Sequence, residues 1–241
     1  FSIDTTGVFK IDNNFLNQLG INSNSIDPKN IKIFGNGGSM LPEIANLPRF
    51  NDLKENAIYV HGEDDNVFND NDYILFYGKG PHNWEVSPTT EEASHRQNIY
   101  SDKSYYFLII DDTPGKRIET FNQPTQNSTK TLTSFDDFVF YEKEIRNLFA
   151  VGRLWFGEDF SLENSQTFSI PFPNQLTNSD IKVKVSAVTI STLSSSMTVS
   201  NTGTNISTLN FPPISNSGVT SLAVQRTNEV SIPSSSSNSV D

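Results

Sequence analysis

Hydroxyl and amide side chains dominate the end of this chain. In residues 161–241, 39 of 81 positions are Ser, Thr or Asn, interleaved with Val, Ile, Phe and Leu. Such a stretch suits strands with one face turned inward and the other in water. Ile181, Val183, Val185 and Ala187 alternate with Lys182, Lys184 and Ser186. Strands are expected at Thr167–Phe172, Ile181–Ile190, Ser196–Ser200, Ile206–Phe211 and Val219–Arg226, separated by Ser, Asn and Gly turns. That spacing predicts an antiparallel β-sandwich. Five strands are fewer than the roughly seven of a closed sandwich, so it is expected to be truncated, with further strands beyond Asp241. The run Ser234–Ser237 is open to a second reading, as a linker.

Charge changes at the same place. Residues 1–160 hold 14 basic and 24 acidic side chains, net −10, against 3 and 4 in residues 161–241, net −1. A shift of this kind marks a domain boundary, placed near Val151 to Phe160. Two domains are expected, 1–150 and 151–241. The total of −11 argues against nucleic-acid and anionic-membrane partners, which need clustered cations. The chain has no cysteine, which excludes disulfides, thiolate metal sites and a cysteine nucleophile within it. No apolar run approaches the roughly 20 residues of a transmembrane helix, so no transmembrane segment is expected. The chain starts on a strand rather than on Met, and is read as a piece of something longer.

The first part is mainly β with one short helix. Gly7 is read as a turn between Phe1–Asp4 and Val8–Ile11. Asp12 or Asn13 caps a helix running to Leu19, with Gly20 as its stop, because Asp and Asn bond free helical N–H groups and Gly accepts positive φ. Strands are expected at Asn30–Phe34, Ala57–His61, Tyr73–Tyr77, Tyr105–Ile110 and Arg117–Phe121. Segments 81–103 and 111–134 are polar and aperiodic and read as long loops. A strand at 138–142 is expected from Phe138-x-Phe140, and the phenylalanines at 135, 138, 140, 149, 156 and 160 are expected to fill a core or a domain interface.

The sharpest local motif is Gly62–Gly78, in which seven of the nine positions 64–72 are Asp or Asn. Asp64, Asp65, Asn66, Asp70 and Asp72 are the candidate ligands for Ca²⁺, a hard cation that takes six to eight oxygens. The calcium-loop pattern D-x-[DN]-x-[DN]-G fails at its third ligand, where Phe68 stands. The favoured reading is a hairpin loop whose Asp and Asn side chains bond their own backbone. No other cofactor is called for. Gly35-Asn36-Gly37-Gly38-Ser39 lacks both the third glycine of a dinucleotide motif and a Walker lysine, and reads as a strand-ending turn. His61, His82 and His95 have no metal-ligand spacing, and no G-x-S-x-G elbow occurs. No catalytic residue is assigned. Trp84 and Trp155 are candidate surface aromatics for stacking on sugars.

Taken in order, several segments resemble a known family: T-G-V-F-K-I (Thr6–Ile11), L-x-x-L-G-I (Leu16–Ile21), P-K-N-I-K-I-F-G-N-G-G (Pro28–Gly38), L-P-E (Leu41–Glu43), E-N-A-I-Y-V-x-G-E-D-D (Glu55–Asp65), F-N-x-N-D-Y-I-L-F-Y-G-x-G-P (Phe68–Pro81) and G-R-L-W-F-G-E-D-F (Gly152–Phe160). Together they are similar to the N-terminal region of the type IX secretion sortases of Bacteroidetes, gingipain-type cysteine peptidases. The resemblance covers residues 1–160 strongly and the Ser/Thr-rich part more loosely. It implies an extracytoplasmic, outer-membrane-associated protein with a porin-like partner. It also implies an activity that removes C-terminal sorting domains from secreted cargo and can join the new C-terminus to an anionic lipopolysaccharide. The family's Cys nucleophile and His base have no counterpart here, so the resemblance implies a peptidase domain downstream of Asp241. The N-terminal region would then restrain that domain or dock it. The competing reading is a cell-surface carbohydrate-binding or adhesive module, and a third is a spacer without a ligand.

Overall fold

Alternating burial builds the first sheets. The computed structural model describes residues 1–90, 92–148, 154–214 and 222–241. The chain divides into two units, Phe1–Ser128 and Thr129–Asp241. The expected boundary at 150/151 lies outside the described residues.

In the first unit the strands are β1 (Ser2–Ile3), β2 (Gly7–Asp12), β3 (Ile31–Phe34), β4 (Glu55–Asn56), β5 (Ile58–His61), β6 (Tyr73–Gly78), β7 (Asn83–Val86), β8 (Ala93–Arg96), β9 (Ser104–Tyr105) and β10 (Phe107–Ile110). All ladders among them are antiparallel, in the orders β2-β6-β5, β10-β3-β4, β1-β9 and β7-β8. Gly7, expected as a turn, is the first residue of β2 and pairs with Gly78; β1 and β2 do not pair with each other, since β1 joins β9 and β2 joins β6. One helix, α1 (Asn13–Gln18), starts where the Asp12 carboxylate accepts from Phe15 N at 3.0 Å, and stops before Gly20 at φ 79°. Ile11, Leu16, Ile31, Ile33, Ile58, Val60, Phe68, Ile74, Phe76 and Tyr106 form one buried cluster. Each large side chain so buried contributes roughly 1.5–3 kcal/mol.

Two polar groups tie this core together. Tyr106 stacks edge-on against Phe76 at 4.8 Å, and its hydroxyl donates to Lys79 O (3.0 Å) while accepting from Lys79 N (2.7 Å). A Cβ at Gly35 would stand 2.4 Å from the Tyr106 ring, which explains the glycine that ends β3. Arg117 donates through Nη2 to the carbonyls of Pro28 and Lys29 (2.9 and 2.8 Å), and through Nε to Glu63 (2.8 Å).

Several expectations are corrected. Segment 81–103 contains the hairpin β7–β8, closed where Ser87 N donates to Glu92 O at 2.9 Å. The expected strand Arg117–Phe121 reduces to one parallel bridge between Arg117 and Ile58; residues 118–121 are all exposed, so no buried face extends the run. No strand forms at 138–142. Phe138, Val139, Phe140 and Tyr141 are all exposed to a similar degree, so no face alternates. Phe135 stands in solvent at 85% exposure rather than in a core. Phe149 lies outside the described residues.

The second unit holds β11 (Ile170–Pro171), β12 (Asp180–Thr189), β13 (Ser195–Asn201), β14 (Thr204–Phe211), β15 (Val224–Pro233) and β16 (Ser239–Val240). They pair antiparallel as β11-β16, β12-β15 and β13-β14. Among the described residues, Leu209, Phe211 and Ile232 are its buried apolar side chains. The last expected strand is present as Val224–Pro233 and runs past Arg226; its expected first residues, 219–221, lie outside the described residues. The chain is mainly β.

Lys32, nearly buried on β3, donates to both Asp111 oxygens at 2.9 and 2.8 Å. That bond, with the Thr113 N–H next, holds the Asp111 carboxyl down at about 2. A depressed carboxylate contributes stability above its unfolded pKa and loses it as pH falls through the folded value. The wild-type chain should therefore lose stability between the ordinary carboxylate range and about pH 2. Asp111→Asn should be less stable near neutral pH and show a flatter acid limb in urea melts taken across that window.

Candidate functional site

The acidic loop is held by what looked out of place in it. Gly62 leaves β5 in the left-handed region at φ 85°, Glu63–Asp65 make one 3-10 turn, and Asn66 turns back at φ 64°. Phe68, the residue that breaks the calcium pattern, is fully buried in the core and anchors the loop. Asp65 accepts from Val67 N (3.0 Å) and Asn69 Nδ2 (3.2 Å). Asp72, buried, accepts from Asn69 N at 2.8 Å and packs so close under Gly62 that any Cβ there would collide with it. Asn66 accepts from Lys29 Nζ (2.8 Å), and Asp70 reaches away to accept from Asn13 Nδ2 (2.6 Å). Asp64 is exposed. Four of the five candidate oxygen donors are thus engaged by protein groups, Asp65 and Asp72 both by Asn69, Asn66 by Lys29 and Asp70 by Asn13. Among the described residues no group of three or more His, Cys, Asp or Glu is placed to hold a metal. The loop's own hydrogen bonds account for its shape. Millimolar EDTA is expected to leave the melting temperature unchanged, and a fall reversed by Ca²⁺ would assign the cation to these residues.

The hairpin β7–β8 gathers three residues that are separate in sequence. Trp84 faces His95 across the ladder, their rings edge-to-face at 4.9 Å, and His82 lies 5.9 Å from His95. Among the described residues the buried His82 Nδ1 has no hydrogen-bond partner. Trp84 remains 40% exposed. Burial, and second the neighbouring His82, hold the His95 ring below the usual histidine range. This grouping depends on the hairpin, whose signal was Trp84-x-Val86 followed by Ser87-Pro88. His82→Ala is expected to raise the His95 midpoint partway, since burial remains; an unchanged midpoint in an NMR titration would contradict the coupling.

Trp155, in the second unit, is 42% exposed beside the bridge in which Arg146 and Phe156 exchange two backbone bonds of 2.8 Å. Glu158 accepts there from Tyr141 Oη (2.5 Å) and Lys143 Nζ (3.1 Å). A cavity of about 270 Å³ in the first unit lies against Phe1, Phe9 and Phe15, with Ser2, Asp4, Lys10 and Lys103 as its polar lining. Among the described residues no helix is long and apolar enough to cross a membrane.

No family model and no curated protein matches the sequence. Among solved structures, the crystal structure of dimeric latent PorU from Porphyromonas gingivalis matches with a TM-score of 0.73 over 99% of this chain. The chain has the fold of a stretch of PorU. The two are 22% identical over that stretch, and the chain spans 22% of the PorU chain. The likeness is therefore one of fold, to part of a much longer protein.

Proposed function

We propose that the chain is the non-catalytic N-terminal region of a cell-surface, sortase-type cysteine endopeptidase that removes C-terminal sorting domains from type IX secretion cargo. The observation that carries this reading is the match to latent PorU along nearly the whole chain, by a sequence that is a fraction of PorU's length. The chain contains no cysteine, so on this reading the thiolate nucleophile is supplied by another part of the polypeptide. On this reading the whole protein sits at the outer membrane, facing outward, with a porin-like partner.

The intact polypeptide, incubated with a cargo protein carrying a C-terminal sorting domain, is expected to release that domain. Iodoacetamide should abolish the reaction. Cleavage that persists after alkylation, or intact cargo after prolonged incubation, would contradict the proposal.

A further inference from the structure

The sheet β2-β6-β5 has two faces of unequal explanation. One carries Phe9, Ile11, Ile58, Val60, Ile74 and Phe76 into the core. The other faces out. An antiparallel sheet with one solvated face ordinarily places polar residues there. Here the ladder sets Val8 beside Tyr77, and in the next row Lys10, Leu75 and Tyr59 side by side. In the row after that, Asp12, Tyr73 and His61 lie side by side, Asp12 being the cap of α1. Val8 is 67% exposed, Tyr77 54% and Tyr59 44%. The rings form a group, with His61 stacked on Tyr73 at 4.8 Å and Tyr59 at 6.4 Å from it. Lys10 Nζ sits 4.7 Å over the Tyr73 ring, so a cation already uses this aromatic surface.

The surroundings of the face state its partner's chemistry. The two strands that carry His61 and Tyr73 are joined by the acidic loop, whose Asp64, Asp65 and Asp70 are exposed. An aromatic and aliphatic surface ending in carboxylates complements an apolar surface ringed by lysine and arginine. Arg and Lys can meet both parts, through ring faces and through the carboxylates.

We propose that the outward face of β2-β6-β5 is the docking surface for a later part of the same polypeptide, one that presents aliphatic side chains flanked by Lys and Arg. This rests on the proposed function only in taking the chain as the front of a longer polypeptide. The matched fold is itself 22% of the PorU chain, so most of such a polypeptide lies outside these residues. Docking there covers the exposed valine and tyrosines and neutralises part of the first unit's excess of acid.

Hydroxyl-radical footprinting of the intact polypeptide reads the tyrosines directly. Tyr59 and Tyr77 are expected to react several-fold more slowly than Tyr100, an exposed residue away from the sheet (77%). Val8→Asp should restore their reactivity while the far-UV spectrum stays unchanged, because Val8 is an exposed position. Asp64→Lys with Asp65→Lys should do so in part, and 0.5 M salt likewise. Equal reactivity of Tyr59, Tyr77 and Tyr100 in the wild type would overturn the proposal. Protection that disappears on dilution would also overturn it, since the occupant would then be a second copy. The two readings fail separately. A polypeptide that releases the sorting domain but leaves Tyr59 and Tyr77 reactive ends the docking inference alone. One that protects them without thiol-dependent cleavage ends the sortase reading alone.

Discussion

The contact between Tyr106 and its surroundings is what the first unit depends on. One ring fills the space beneath Gly35, packs edge-on against Phe76, and carries a hydroxyl that satisfies both backbone groups of Lys79. Three segments distant in sequence, the end of β3, the end of β6 and the junction of β9 with β10, are thereby fixed to one another. Burial raises the phenol's pKa, as expected of a hydroxyl enclosed and kept neutral. Removing such a hydroxyl would leave Lys79 polar groups unpaired, at a cost of roughly 1–3 kcal/mol. The acidic loop is held on the same principle, by a buried ring at Phe68 and a buried carboxylate at Asp72.

The sequence made the period-two strands legible because their inward residues are Ile, Val and Phe at alternate positions, as in Ile58–His61 and Tyr73–Gly78. It made α1 legible through the Asp12 cap and the Gly20 stop. It hid the β7–β8 hairpin, since Asn83, Glu85 and Ala93 are weak strand formers and the pairing is closed by the turn at Ser87. It misled at 138–142, where alternation of Phe with Val promised two faces and the chain buries neither. The run from Arg117 shows a third case: a strand-like stretch makes one bridge, since residues 118–121 are exposed and bury no face. No local pattern reports that.

For the candidate site the division is similar. The density of oxygen donors in residues 64–72 was plain in the sequence, whereas their directions were not. Asp70 bonds to α1, Asn66 to Lys29 and Asp72 back beneath Gly62, so neighbours in sequence diverge in space. The outward face of β2-β6-β5 was missed for a different reason. Tyr and Val are good strand formers wherever they stand, and only the register shows that Val8, Tyr77, Leu75 and Tyr59 share one side.

Under the proposed function this chain is a supporting part, and the chemistry belongs to another part of the polypeptide. The most direct measurement is the sequence of the encoding reading frame beyond Asp241. The account predicts that it continues into a domain bearing a paired histidine and cysteine. A frame that stops shortly after Asp241, or runs on without that pair, would contradict it and leave a surface binding module in its place.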